Sequence, residues 1–311
     1  MRLLHLTDTH LGNVLPTSGG PDGWVRHDDH FDAMQCALDA ARRGEVDAVL
    51  HTGDLFNRSK PPQHIIRQAA DVFCQLARQL PVVVFPGNHD RRGLRRYIPH
   101  AINGLHIVDD AKTVDVGGVR VGCVPFKRDA RDFSAAAHRL GKVDLLCAHQ
   151  AFHGACVPPG FTFRDGHQPD TIGERHLPEH TRWVACGHIH PRQVVTVGGA
   201  QIVQPGSTER TSFAERDDTK GYAIWEFDSD ISYRFLDLPS RPMALIRASC
   251  DLALAKPGTL VRLGPEARHL RGPALDRGAY LCGFDPRFGK PGKTDSSPRK
   301  REPATLFSRP A

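Results

Sequence analysis

The chain lacks several things whose absence narrows its class. None of its eight cysteines stands in a Cys-x-x-Cys pair, which argues against a zinc ribbon or a thioredoxin-like redox site. Most of those cysteines sit in apolar patterns, as small core hydrophobes of a reduced, cytoplasmic protein do. Nowhere do about eighteen apolar residues follow one another, the length a membrane-spanning helix requires, so no membrane role is expected. The start carries no basic segment followed by an apolar stretch, so no secretory leader is expected. No repeat of fixed period runs through the 311 residues, which excludes a solenoid or an array. Strong charge is missing too. The net charge of +6 is concentrated near the end, where Arg287, Lys290, Lys293, Arg299, Lys300, Arg301 and Arg309 face only Asp285, Asp295 and Glu302. The remainder of the chain is close to neutral, so the basic pI does not argue that the folded body grips nucleic acid.

What is present is a set of five short segments: Asp8-Thr9-His10, Gly53-Asp54, Gly87-Asn88-His89-Asp90, His149 and Gly187-His188-Ile189-His190. Each ends a run of aliphatic or β-branched residues, Arg2 to Thr7, Val46 to His51, Pro81 to Phe85, Val143 to Ala148 and Arg182 to Cys186, and so belongs at the carboxyl end of a strand. Helical spacing of apolar residues predicts helices over 28–43 and 62–79, the second opened by Pro61-Pro62. A Gly/Pro-rich loop is expected from Gly12 to His27. Later the pattern turns to short strands, over 119–124, 193–197, 200–203, 222–227 and 231–236, with Gly198-Gly199 as a two-residue hairpin turn. Strands alternating with helices in the first half predict an α/β fold with ligands outside the strand carboxyl ends.

Aspartate, asparagine and histidine at those ends, without cysteine, form an oxygen and nitrogen donor set suited to hard or borderline divalent metals. Two neighbouring cations need a shared ligand, and Asp54 is the natural carboxylate bridge. Asp8, His10 and His190 complete one site; Asn88, His149 and His188 complete the other. A water between two such cations loses its proton near neutral pH and attacks a phosphoryl group. His89 is placed as the general acid for the leaving group. Asp90 is expected to hold its ring through the other nitrogen. His51 and His153 are second-layer candidates; the remaining histidines read as surface or satisfied core residues.

Together these segments resemble the calcineurin-like metallophosphoesterase superfamily. Two further stretches, Pro205-Gly206-Ser207-Thr208-Glu209-Arg210-Thr211-Ser212-Phe213-Ala214-Glu215 with Lys220-Gly221-Tyr222, and Lys60-Pro61-Pro62, are similar to the SbcD/Mre-type DNA-repair nucleases. The resemblance covers about Met1 to Met243. It implies a four-layer α/β/β/α sandwich of two mixed sheets, two metal ions with manganese as the working metal, and 3′-to-5′ exonuclease and single-strand endonuclease activity on DNA. It also implies an SMC-like SbcC/Rad-type ATPase as partner, and a homodimer is compatible with it. The expected organisation is a nuclease domain over 1–242, a short cap-like segment over 243–284 with strands near 243–248 and 259–263, and a flexible basic tail over 285–311. Family members continue into a DNA-capping domain and ATPase-gripping helices, and only a short, poorly apolar stretch follows Pro242 here. Two other functions stay open: a small-molecule or nucleotide phosphodiesterase on the same fold, and a non-catalytic DNA-binding module.

Overall fold

A computed structural model of the chain describes residues 1–13, 23–91, 93–157, 160–246, 260–263 and 280–281; the expected tail over 285–311 lies outside the described residues. The elements in chain order are β1 (Arg2–Leu6), α1 (Gly23–Arg42), β2 (Ala48–His51), α2 (Gln63–Ala77), β3 (Val82–Val84), α3 (Leu94–Tyr97), β4 (Leu105–Ile107), β5 (Lys112–Val116), β6 (Val119–Val124), α4 (Ala130–Arg139) and β7 (Leu145–His149). There follow β8 (Cys156–Val157), β9 (Phe161–Thr162), β10 (Trp183–Gly187), β11 (Gln193–Val197), β12 (Ala200–Gln204), β13 (Gly221–Phe227) and β14 (Ile231–Asp237). The main unit comprises Met1–Asn13 and His27–Ser240. In the second unit, β15 (Met243–Ile246), β16 (Leu260–Leu263) and β17 (Tyr280–Leu281) pair in parallel as one small sheet.

The main unit holds two six-stranded sheets, ordered β14-β13-β1-β2-β3-β4 and β11-β12-β10-β7-β6-β5. Both are mixed. In the first, β1 to β4 run parallel and the β13-β14 hairpin adds antiparallel to β1. In the second, β12, β10, β7 and β6 run parallel between antiparallel edge strands β11 and β5.

The period-two alternation of each strand builds the layers. In β1, Leu4 and Leu6 pack with α1 and α2, against Met34, Leu38, Ile65 and Phe73. On the other face Leu3, with Leu50, Val83 and Trp225, meets Val121, Cys123, Leu145 and Cys147 of the opposite sheet. On the outer face of the second sheet, Leu146, Ala148, Val184 and Ile202 bury against α4. The result is helix, sheet, sheet, helix, as the resemblance implied.

Differences from the sequence reading have local causes. The α4 helix follows a basic stretch and its apolar face rests on few residues, chiefly Phe133, Ala136 and Ala137; its start is marked by Asp129, whose side chain accepts a hydrogen bond from Arg131 N at 2.8 Å. The α1 helix begins at Gly23, inside the expected loop. Gly198 and Gly199 do form the two-residue turn between β11 and β12, with φ of 56° and 82°, a combination that suits glycine and matches strand twist.

Phe133 is fully buried and meets Phe152 edge to face at 6.2 Å. Phe133→Ala should therefore cost about 3–5 kcal/mol, measured by chemical denaturation; a loss below about 1 kcal/mol would mean that the α4 layer does not pack as described.

Candidate metal centre

The parallel registers bring the five strand ends to one place. Leu6 pairs with His51, and beyond the strands Asp8 N donates to Gly53 O and His10 N to Asp54 O, both at 3.0 Å. His51 pairs with Val84, so Gly53-Asp54 and Gly87-Asn88 emerge side by side. In the second sheet His149 pairs with Gly187, placing His188 next to it. His188 N donates to Asp8 Oδ2 at 2.9 Å, tying one sheet's ligand loop to the other's.

Sharp departures from strand geometry are needed at these ends. Among the described residues, five non-glycine residues have φ in the left-handed region, and four of them are Asp8 (50°), His10 (45°), Asp54 (53°) and His188 (90°). Backbone in that region costs energy and persists only where surroundings impose it. Gly53 and Gly87 are required for a related reason: a Cβ on Gly53 would collide with the His149 ring, and one on Gly87 with the Asp54 side chain.

All seven ligand candidates converge. His149 Nε2 stands 3.3 Å from Asp54 Oδ2 and 3.0 Å from Asn88 Oδ1, and His188 Nδ1 lies 2.9 Å from the same asparagine oxygen. His10 Nε2 lies 3.7 Å from Asp54 Oδ2 and 3.9 Å from Asp8 Oδ1, and His190 Nε2 is 3.9 Å from Asp8 Oδ1. Asp8, His10, Asp54 and His149 are all buried. Three subsets, Asp8/His10/His190, His10/Asp54/His89 and Asp8/Asp54/His149, each place their donor atoms within 4.8 Å of one another.

These residues fit divalent cations. Two donors each about 2.1 Å from one ion lie roughly 3–4 Å apart, the spacing found here. His149 Nδ1 donates to Thr52 O at 2.7 Å, which orients the ring and turns Nε2 toward the carboxylates. His10 and His190 point their Nε2 atoms at each other at 3.1 Å, a crowding of nitrogens that a cation between them relieves. Burial pushes the Asp54 carboxyl up, but His149 and then His10 beside it carry it below the usual carboxylate range. Burial lowers His149, yet Asp54 and Asp8 more than offset this and raise it to about 9. Burial alone is the main reason His10 and His188 fall to about 3. Asp54 thus stays anionic, and the proton it favours on His149 Nε2 is one that a cation there would displace.

His89 stands beside the cluster, and Asp90 does not hold its ring. The His89 Nδ1 donates to Asn57 O at 2.8 Å; its ring lies edge-on to His10 at 4.8 Å, and its Nε2 is 4.0 Å from Asp54 Oδ2. Its side chain is 42% exposed, so that Nε2 remains open to an incoming group. The Asp90 carboxylate does not reach the ring. It accepts from the backbone N–H groups of Leu55, Phe56 and Gly87, at 2.9, 2.7 and 3.2 Å, and so locks the two loops that carry Asp54 and Asn88 together. The correction is one of geometry: Asp90 closes a turn, and a backbone carbonyl, invisible in a sequence, orients His89. Of the two second-layer histidines, His51 Nε2 meets Thr9 Oγ1 at 3.0 Å between Asp8 and His10, while His153 accepts from Asp165 N away from the cluster.

Sequence reasoning missed a support behind His190. Its Nδ1 donates to Glu215 Oε1 at 2.9 Å, with Thr211 Oγ1 at 3.0 Å. Glu215 Oε2 in turn receives Lys220 Nζ at 2.7 Å, and this lysine is fully buried. Burial raises the Glu215 carboxyl, but His190 and Lys220 hold it well below its ordinary value. The signal lay in the Thr208 to Glu215 stretch, which the sequence associates with a nuclease branch without assigning it a task.

With this geometry in hand, the class is clear: the profile of the calcineurin-like phosphoesterase family matches residues 1–192, and the chain belongs to that family of metal-dependent phosphoesterases. Among its relatives is the DNA double-strand break repair protein Mre11 of Haloferax volcanii, 30% identical over 262 residues, covering 81% of this chain and 55% of that protein. Mre11 of Thermoplasma acidophilum is 29% identical over 227 residues, covering 66% of this chain and 56% of the relative. The uncharacterized metallophosphoesterase YhaO of Bacillus subtilis is 28% identical over 215 residues, covering 66% and 52%. The chain spans about half the length of the curated relatives it matches. Among the described residues no helix is long and apolar enough to cross a membrane.

The Glu215 contact yields a test. Replacing a residue that orients a ligating histidine usually costs 10–100-fold in metal affinity. Glu215→Gln should weaken divalent-cation binding by about that factor, read by calorimetric titration with manganese as the probe ion. Unchanged affinities would mean that Glu215 serves folding alone.

Proposed function

We propose that this chain hydrolyses phosphodiester bonds of DNA, with Asp8, His10, Asp54, Asn88, His149, His188 and His190 holding two divalent cations and His89 protonating the leaving group. The observation that carries the reading is the convergence of seven oxygen and nitrogen donors beside one exposed imidazole, His89, whose Nδ1 is committed to the Asn57 carbonyl. Asp54 is the bridging ligand in this scheme, because its carboxylate lies near His149 on one side and His10 on the other. Carboxylate, amide and imidazole donors without thiolate suit manganese. When bound, the cations would supply an activated water and neutralise charge on the phosphoryl oxygens.

The chain's own groups do the rest. Glu215 and the Thr52 carbonyl hold His190 and His149 in the tautomers that present Nε2 to the cluster. Asp90 keeps the Asp54 and Asn88 loops in register. The Asn57 carbonyl takes the His89 Nδ1–H, so that a proton on Nε2 faces the departing oxygen.

DNA as substrate is supported by the relatives named as DNA double-strand break repair proteins. The exonuclease and single-strand endonuclease activities, and the SMC-like ATPase partner, rest on the resemblance alone. A small-molecule diester is the second reading, favoured by the near-neutral charge of the chain outside its tail. Rates with manganese on labelled duplex DNA, single-stranded DNA, bis-p-nitrophenyl phosphate and a cyclic nucleotide separate the two; turnover of the cyclic nucleotide far above that of DNA would sink the DNA reading.

Two variants probe the roles. Asp54→Asn should abolish turnover and lower bound metal, since a bridge between two cations loses an anionic oxygen; two tightly held metals with normal turnover would refute the bridge. His89→Ala should keep its metals and lose roughly two to four orders of magnitude on DNA. The loss should be much smaller on the nitrophenyl ester, whose leaving group needs no proton, and equal losses on both would rule out an acid.

A further inference from the structure

The loop after β6 carries an aromatic ring to the cluster that neither the sequence reading nor the family match assigns a task. The Phe126 ring lies 5.7 Å from the His188 ring at 39°, and 6.4 Å from the His149 ring at 78°. It is half-buried, so part of it stays in solvent beside two of the proposed ligands. Two cationic residues follow it, the half-buried Lys127 and the exposed Arg128.

This ring is not a mobile surface group. Lys127 N donates to Gln150 Oε1 at 2.7 Å, and Gln150 Nε2 donates to Asp170 O at 2.9 Å. Gln150 is fully buried and directly follows His149. The loop with the aromatic ring is therefore anchored to the same strand end that delivers a ligand, and ring and cluster hold a fixed relation.

We infer that Phe126 is a stacking platform for the nucleobase attached to the phosphoryl group under attack, with Lys127 and Arg128 following the adjoining backbone. This rests on the phosphodiesterase reading above and names a part of the substrate. Every base has a π-face, so an aromatic ring near a basic segment binds single-stranded nucleic acid without reading sequence. A base hangs one sugar away from its phosphate, within reach of a ring that lies beside two of the proposed metal ligands. The position also selects which base. His89, which serves the leaving oxygen, contacts His10 and Asp54, whereas Phe126 contacts His149 and His188. The stacked base is thus the one on the nucleoside that stays on phosphorus after the leaving group departs.

Three esters with the same leaving group test this: thymidine 5′-(p-nitrophenyl phosphate), thymidine 3′-(p-nitrophenyl phosphate) and methyl p-nitrophenyl phosphate. In each, water forms the new P–O bond and nitrophenolate leaves with the electron pair of the broken one, so protonation by His89 is not tested. With manganese, the wild-type protein should favour one thymidine ester over the methyl ester in kcat/KM by about tenfold or more. Phe126→Leu should bring that ratio close to one, whatever the absolute rates, and Phe126→Trp should restore it. Binding anisotropy of a labelled oligothymidine against an abasic oligomer should follow the same pattern. A ratio that survives in Phe126→Leu while both rates fall together would overturn the inference, because the ring would then only brace the histidines. A wild-type ratio near one would overturn it as well. If the wild-type protein hydrolyses none of the esters, the phosphodiesterase reading itself falls, and the stacking site with it.

Discussion

The Asp54 carboxylate sits where every other part of the site meets. It faces His149 at 3.3 Å and His10 at 3.7 Å, and its other oxygen receives the His89 backbone N–H at 2.8 Å. An anion so far removed from water is tolerable only among groups that balance it. The protonated His149 from the other sheet and a loop amide do so, with the His10 ring alongside, and all of them depend on strand registers set many residues away. The sandwich is what makes those registers dependable. Its middle layer, with Trp225, Val83 and Leu145 wholly buried, fixes the separation of the sheets, so ligands from β1, β2 and β3 meet ligands from β7 and β10.

Most of that arrangement was legible because two patterns coincide. Apolar runs ending in Asp, Asn or His mark both a strand end and a candidate metal ligand, and Asp8, Asp54, Asn88 and His149 follow from the rule without any structure. What stayed hidden was carried by the backbone or by burial. Asn57 orients His89 through a carbonyl, which any residue type could offer. Asp90 resembles a partner for the adjacent histidine, yet the turn directs its carboxylate to amides thirty-odd residues back in the chain. Phe126 reads as ordinary hydrophobic content until the registers place it beside His188.

The Thr208 to Glu215 stretch has changed meaning. By sequence it pointed toward nucleic acid. In the fold, Ser207, Thr208 and Glu209 are buried, and the segment closes over Glu215 and Lys220 behind His190. Its similarity to repair nucleases fits a shared way of holding His190, so the proposal of DNA leans on the relatives rather than on this stretch.

The left-handed backbone at Asp8, His10, Asp54 and His188 has one more consequence. Strained loops that crowd acidic and imidazole groups raise the free energy of the folded chain relative to the unfolded one, in the very segments that cations would draw together. Because the unfolded chain has no such assembled pocket, occupancy favours the folded form by mass action. In the proposed two-cation scheme, bound metal would then add to the chain's resistance to unfolding as well as to its chemistry.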